Sequence, residues 1–154
     1  SFSQPSAPGT TSGTQGVTIT TNTNTTYNNE VTTTDSKTAT ASTTFTYESK
    51  YYIGYVSSTT PSDADIIAAL GTTAGGTFAT SRLTNGTLQD PASSSYINFA
   101  YPASFGAATI KIQGLTVAYN LITRSFTNSS GFSTSYNIYI SPFQTAGGAA
   151  YQVL

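Results

Sequence analysis

The sequence predicts an all-β protein: an antiparallel β-sandwich, Ig-like or jelly-roll-like, with one short helix and an extended Thr/Ser-rich arm in front. Three observations predict it. Apolar residues after Glu48 come in short bursts, "YYIGYVS", "TFATSRL", "SYINFAY", "ATIKIQG", "LTVAYNLITRSF", "STSYNIYIS" and "AAYQVL". Between the bursts stand "TNG", "TAGG" and "NSSG", where Gly or Asn supplies the backbone angles of tight turns. Before Phe45 there is almost no large aliphatic residue, so the first part brings little to a core of its own.

The chain divides accordingly into an arm or partial Ig-like module over 1–46 and a β-sandwich domain over 47–154. Within the arm, residues 1–15 read as flexible, with low-complexity disorder over 1–30 as the alternative. The remainder reads as strands that need a neighbour. In "TATASTTFTY", Ala39, Ala41, Thr43, Phe45 and Tyr47 recur at period two and share one face.

In "YYIGYV", Tyr51, Ile53 and Tyr55 point to one face and Tyr52, Gly54 and Val56 to the other. A strand apolar or small on both faces is interior, covered on each side. The reading favours a core role for these tyrosines over an exposed sugar-stacking platform. Gly54 marks a close backbone approach or a bulge. The cover on one side follows directly: "PSDADIIAALG" predicts a helix over 62–70, with Ser62 as N-cap, Asp65 completing a capping box, and Asp63 and Asp65 complementing the helix dipole. Ile66, Ile67 and Leu70 form its apolar stripe and Gly71 its stop. Read as a carboxylate pair for acid–base work or Ca²⁺, "DAD" lacks the spacing and the further oxygen ligands. Pro102 cannot donate to a ladder, so "SYINFAY" ends there or lies at an edge, and residues 104–106 turn the chain.

Composition closes most chemical routes. The 154-residue chain has no His, Cys, Met or Trp, 7% charged residues and a net charge of −1. It can build no thiolate or imidazole metal site, no disulfide and no Ser-His or Cys-His pair. No cofactor, metal or catalytic residue is expected. Glu48, Asp63, Asp65 and Asp90 are the acids near the folded part, and none sits in a motif. Lys37, Lys50, Arg82, Lys111 and Arg124 are scattered and read as solvated charges, so nucleic acid is not an expected partner. No apolar run approaches the roughly 18 residues that would span a bilayer, so membrane insertion is not expected. The absence of Met suggests a processed product or part of a longer chain.

Three segments in order carry a resemblance. "YYIGYVSS", "YINFAYPASFG" and "FTNSSGFSTSYNIYIS" look like a domain of tailed-bacteriophage structural proteins, whose pattern opens on Y-Y-x-G, continues with A-Y-P-x-S-x-G and closes on Y-x-V-Y-x-S. The matching residues are Tyr51, Tyr52 and Gly54; Ala100, Tyr101, Pro102, Ser104 and Gly106; and Tyr136, Ile138, Tyr139 and Ser141. Upstream, "TDSKTATASTTFTY" is similar to the closing strand of an immunoglobulin-like module, but the hydrophobic body of such a module is missing. The resemblance implies a non-enzymatic virion component of tail, baseplate, neck or fibre, located in the extracellular particle. It would partner other virion proteins and copies of itself as a homo-oligomer. A host surface glycan is a further partner if the tyrosines are exposed. The competing class is a glycosylated cell-surface, pilus or S-layer-type adhesin, since Asn24, Asn85 and Asn128 begin N-x-[ST] sequons.

Overall fold

The computed structural model describes residues 2–3, 14–15, 24–32, 35–70, 75–89, 94–145 and 147–154. Of these, 54% are in strands and 7% are helical. The chain forms two compact units, Ser1–Tyr47 and Glu48–Leu154.

In the first unit, β1 (Phe2–Ser3) pairs antiparallel with β2 (Thr14–Gln15); the rest of the stretch expected to be flexible lies outside the described residues. An eight-residue antiparallel ladder then joins β3 (Thr25–Thr32) to β4 (Thr38–Phe45) in unbroken register from Thr25↔Phe45 to Thr32↔Thr38. Strand alternation gives the hairpin two unlike faces. One holds Tyr27 and Phe45, whose rings meet edge to face at 5.8 Å, together with Ala39 and Ala41. The other carries Thr38, Thr40, Ser42 and Thr44 of β4 opposite Thr32, Glu30, Asn28 and Thr26 of β3, and Thr26 and Thr44 bond across the strands at 2.9 Å and Thr32 and Thr38 at 3.3 Å. Along β4 every residue up to Thr44 is exposed.

The second unit is an antiparallel β-sandwich with a helix on its outer face. Its strands are β5 (Ser49–Val56), β6 (Thr77–Ala79), β7 (Thr84–Thr87), β8 (Tyr96–Pro102), β9 (Ile110–Ile112), β10 (Leu115–Thr116), β11 (Asn120–Thr127), β12 (Ser133–Ile140) and β13 (Ala150–Val153), and its helix is α1 (Asp63–Ile67). One sheet has the order β11-β12-β8-β5-β6 and the other β10-β9-β13-β7.

The two apolar faces read from "YYIGYV" are both buried. Ile53 and Tyr55 join Phe99, Tyr101, Tyr139, Ile110 and Val153 in the core between the sheets. Tyr52 and Val56 join Ala100, Phe126, Tyr136, Ile138, Ile140 and the helix residue Ile66 in a second core on the outer face. Tyr52, Phe99, Ala100, Phe126 and Ile66 are fully buried. Full burial of a side chain of this size contributes about 1.5–3 kcal/mol, so three adjacent strands apolar on both faces outweigh any local propensity. Gly54 makes no bulge; it sits opposite Asn98 in continuous register.

Several expectations are corrected. The helix ends at Ile67, not 70, because Tyr55 and Leu70 exchange both backbone hydrogen bonds, at 2.9 and 3.1 Å, and draw the chain into an extended bridge. Leu70 is therefore exposed and no part of an apolar stripe, and Gly71 lies outside the described residues. "TFATSRL" is a strand only over Thr77–Ala79. "LTVAYNLITRSF" is two strands: β10 belongs to the smaller sheet and β11 to the larger, and 117–119 carry the chain between them. "TNG" is a strand rather than a turn. Gly86 pairs with Tyr151, whose ring lies so close that a Cβ on Gly86 would meet it at about 3 Å. The glycine is needed for that close approach, not for a positive φ. "SYINFAY" does end at Pro102, and a 3-10 turn over Ala103–Phe105 with Gly106 at φ 81° reverses the chain.

Three buried polar side chains have no hydrogen-bond partner among the described residues: Asn98, through both amide atoms, and the hydroxyls of Tyr101 and Tyr119. Burial first, then the neighbouring Tyr139 hydroxyl, pushes the Tyr101 phenol above its ordinary 10.0, and burial does the same to Tyr119 beside Tyr55. A phenol whose folded-state pKa is raised keeps its proton longer than the unfolded chain does. Its contribution is intact below the ordinary value and is lost as pH climbs beyond it. Tyr101→Phe and Tyr119→Phe remove unpartnered hydroxyls. Each is expected to leave stability equal or raise it by up to about 1–3 kcal/mol, and to move the alkaline unfolding midpoint upward. Denaturant titrations from pH 7 to above 10 check this; a substantial loss at neutral pH in both variants would mean that the hydroxyls are bonded.

Candidate functional site

The acid-rich start of α1 is the first place to look for chemistry, and its carboxylates turn out to be structural. Ser62 is the N-cap: its Oγ accepts from Asp65 N–H at 3.2 Å, and Asp65 Oδ2 accepts from Ser62 N–H at 2.8 Å and from Ser62 O–H at 2.7 Å. These bonds, the hydroxyl's first, hold the Asp65 carboxyl below its ordinary value. The aspartate beside it does something the sequence reading missed. Asp63 pairs with Arg124 of β11 and accepts from the Thr127 backbone N–H at 2.8 Å. Arg124 further donates to Pro61 C=O at 3.1 Å and to Ser125 C=O at 3.0 Å. Asp63 and Arg124 together therefore satisfy backbone groups on the outer edge of β11 and dock the helix against it. Both side chains are about a third exposed, so the pair is partly screened.

A second cluster ties β5 to the 128–131 turn. Lys50 Nζ donates to Ser129 Oγ at 2.6 Å and to Gly75 C=O at 3.0 Å, and sits 5.2 Å from the Phe78 ring centre. Ser129 also donates to Gly75 C=O, and its backbone N–H bonds the Tyr52 hydroxyl at 2.9 Å. A serine next to a lysine suggests a nucleophile and its base. Here the serine proton goes to a carbonyl and the lysine is a donor to both partners, so the arrangement works as a clamp. Asn128, buried, shapes the turn by accepting from Ser130 and Phe132 N–H. Its amide is committed to that geometry, whereas Asn85 is exposed.

Of the remaining cationic side chains, Arg82 corrects the expectation of a solvated charge by donating to Phe105 C=O at 2.6 Å and to Leu154 C=O at 3.0 Å. Lys37 bears it out: it pairs with Asp35 at 3.2 Å on the hairpin surface with its side chain 83% exposed. Nothing local in the sequence signalled the roles of Arg124, Lys50 and Arg82, whose partners lie far away along the chain. Asn128 was legible as an Asn-led turn. Asp90 lies outside the described residues, and Glu48 is exposed.

Beside the helix start a cleft of about 450 Å³ is lined by Thr60, Pro61, Ser62, Asp63, Ile122 and Arg124, whose two charges pair with each other. A cleft of about 390 Å³ opens beside the β10 to β11 crossing, lined by Ala107, Ala108, Thr116, Tyr119, Leu121 and Tyr139 among others. Leu115, Leu83, Phe78 and Phe143 are each more than half exposed. Among the described residues, no three of His, Cys, Asp or Glu are grouped to hold a metal ion, and no helix is long and apolar enough to cross a membrane. Comparison with models of known protein families, with curated proteins and with solved structures finds no match.

The cap gives a pH test. A carboxyl held low stabilises the fold above its unfolded value, and that stability is lost as pH falls through the lower folded one. Ser62→Ala is expected to cost about 0.5–2 kcal/mol at neutral pH. It should also flatten the acid limb of the Tm profile below about pH 4, where Asp65 then titrates as an ordinary carboxylate. Ca²⁺ and EDTA should leave Tm unchanged. An unaltered acid limb would show that the cap does not govern Asp65.

Proposed function

We propose that this chain is a structural, non-enzymatic component of a tailed-phage particle, at the tail, baseplate, neck or fibre, whose work is assembly with other virion proteins and with copies of itself. The observation that carries this reading is where the motif residues fall. Tyr52 and Gly54 lie on β5, Ala100, Tyr101 and Pro102 on β8, and Tyr136, Ile138 and Tyr139 on β12, three neighbouring strands of one sheet. Ser141 continues the set by accepting from Ile97 N–H at 2.9 Å. Residues that recur in a pattern because they build the centre of a sandwich mark a scaffold rather than a ligand site. A scaffold with exposed Leu and Phe and few charges suits apolar, salt-tolerant interfaces between subunits.

The glycan-adhesin variant draws less support, because Tyr52, Tyr55, Tyr101, Tyr136 and Tyr139 are buried and present no stacking platform. A glycosylated cell-surface adhesin would have to carry sugar at Asn24 or Asn85, since Asn128 is buried.

Antibody against this chain is expected to decorate purified phage particles at one axial position in electron micrographs, and the protein from those particles to have its unmodified mass. Absence from particles, or a native mass raised by attached sugar, would overturn the reading in favour of a cell-surface protein.

A further inference from the structure

We infer that the cleft beside the β10 to β11 crossing is a binding site for a small uncharged molecule with an apolar body and a hydrogen-bond acceptor, which the Tyr139 hydroxyl holds as donor. This goes beyond the assembly reading and does not rest on it. Residues 117–119, which carry the chain from the smaller sheet to the larger, supply Ala118 and Tyr119 to one wall. The Tyr119 ring is braced edge to face against Phe99 at 5.6 Å. Ala107 and Ala108 line the cleft as well, and the three alanines leave open a volume of about 390 Å³ that larger side chains would fill. A space of that size lies within the range of small-molecule sites.

Hydrogen-bonding capacity left unused at the cleft selects the chemistry of its occupant. Tyr139 lines the cleft and is only 6% exposed. Its oxygen accepts from the Ala108 N–H at 3.0 Å, which places the hydroxyl at the 107–109 wall, and its own proton has no acceptor among the described residues. Tyr101, stacked on it with ring centres 5.7 Å apart, bonds neither it nor any other described residue. The Tyr119 hydroxyl, on the other wall, is likewise unpartnered. A buried phenol whose proton has no acceptor gains a hydrogen bond from a ligand that supplies one. A charged ligand is excluded, because the lining holds no Asp, Glu, Lys or Arg and an ion brought against alanine and leucine loses hydration without a counter-charge. A sugar is excluded for a related reason: most of its hydroxyls would face alanine, valine and leucine. What remains is a neutral, largely apolar molecule carrying a carbonyl-like oxygen.

Isotope-labelled full-length protein is titrated, with amide NMR as the readout, against acetophenone, whose carbonyl can accept, and against α-methylstyrene, which has nearly the same shape and no acceptor. Benzoate is the charged control. Acetophenone is expected to shift the amides of 107–110 and 116–121 saturably, that of Ala108 strongly because it donates to Tyr139, and to bind about three- to tenfold tighter than α-methylstyrene. In Tyr139→Phe the two probes are expected to bind equally. Ala118→Trp, at an exposed position of the wall, is expected to fill the cleft and abolish the shifts with circular dichroism unchanged. It keeps the test decisive where loss of the acceptor for Ala108 N–H unfolds the phenylalanine variant. Equal binding of acetophenone and α-methylstyrene by the unaltered chain, benzoate bound as tightly as acetophenone, shifts that survive Ala118→Trp, or no saturable shift at these amides overturns the inference.

Discussion

Everything in the second unit depends on burying both faces of one antiparallel sheet. β5, β8 and β12 carry apolar residues on both faces, interrupted by the buried Asn98 and Asn137, so both faces need cover. The smaller sheet closes one side through Ile110 and Val153, and α1 closes the other through Ile66. The helix is only Asp63–Ile67 long, too short to be stable by itself. It persists because Ser62 and Asp65 cap it, Asp63 and Arg124 dock it, and Ile66 fills the core it covers. The sequence places so many tyrosines in this region because a chain without Trp or Met has few other large side chains to fill two cores, and Tyr hydroxyls can reach backbone groups at the rim. Tyr136 does so at Lys50 C=O and Tyr55 at Gly147 C=O, at 2.6 and 2.9 Å.

What was legible in the sequence was what depends on local pattern. Two-sided alternation in "YYIGYV" announced an interior strand, and the S-x-x-D spacing announced the helix start. The stop at Pro102 followed from its missing N–H. What was not legible depends on partners distant in the chain. "TNGT" has turn composition, yet Tyr151, more than sixty residues on, needs a neighbour without a side chain and makes Gly86 a strand residue. "LTVAYNLITRSF" reads as one strand because nothing local says that residues 117–119 pass from one sheet to the other. The helix end was misplaced because Tyr55, an earlier strand residue, captures Leu70 through backbone bonds that carry no side-chain signature. Pairings such as Lys50 with Ser129 and Arg124 with Asp63 are products of the fold, so the sequence showed only scattered charges.

The two units solve the same problem differently. The sandwich covers its large sheet on both sides, and the outer edge of β11 is partly closed by Asp63 and Arg124. The hairpin of the first unit has a regular ladder, and β4 is exposed along 38–44. Its β-branched threonines favour extended backbone.

The central claim is that the sandwich is held by two cores, one on each face of its large sheet. Native-state hydrogen exchange of the full chain tests it most directly. Amides of 52–56, 96–101 and 136–140 are expected to exchange only through global unfolding, while those of the exposed strand 38–44 exchange faster. Central-strand amides exchanging as fast as those of 38–44 would contradict it.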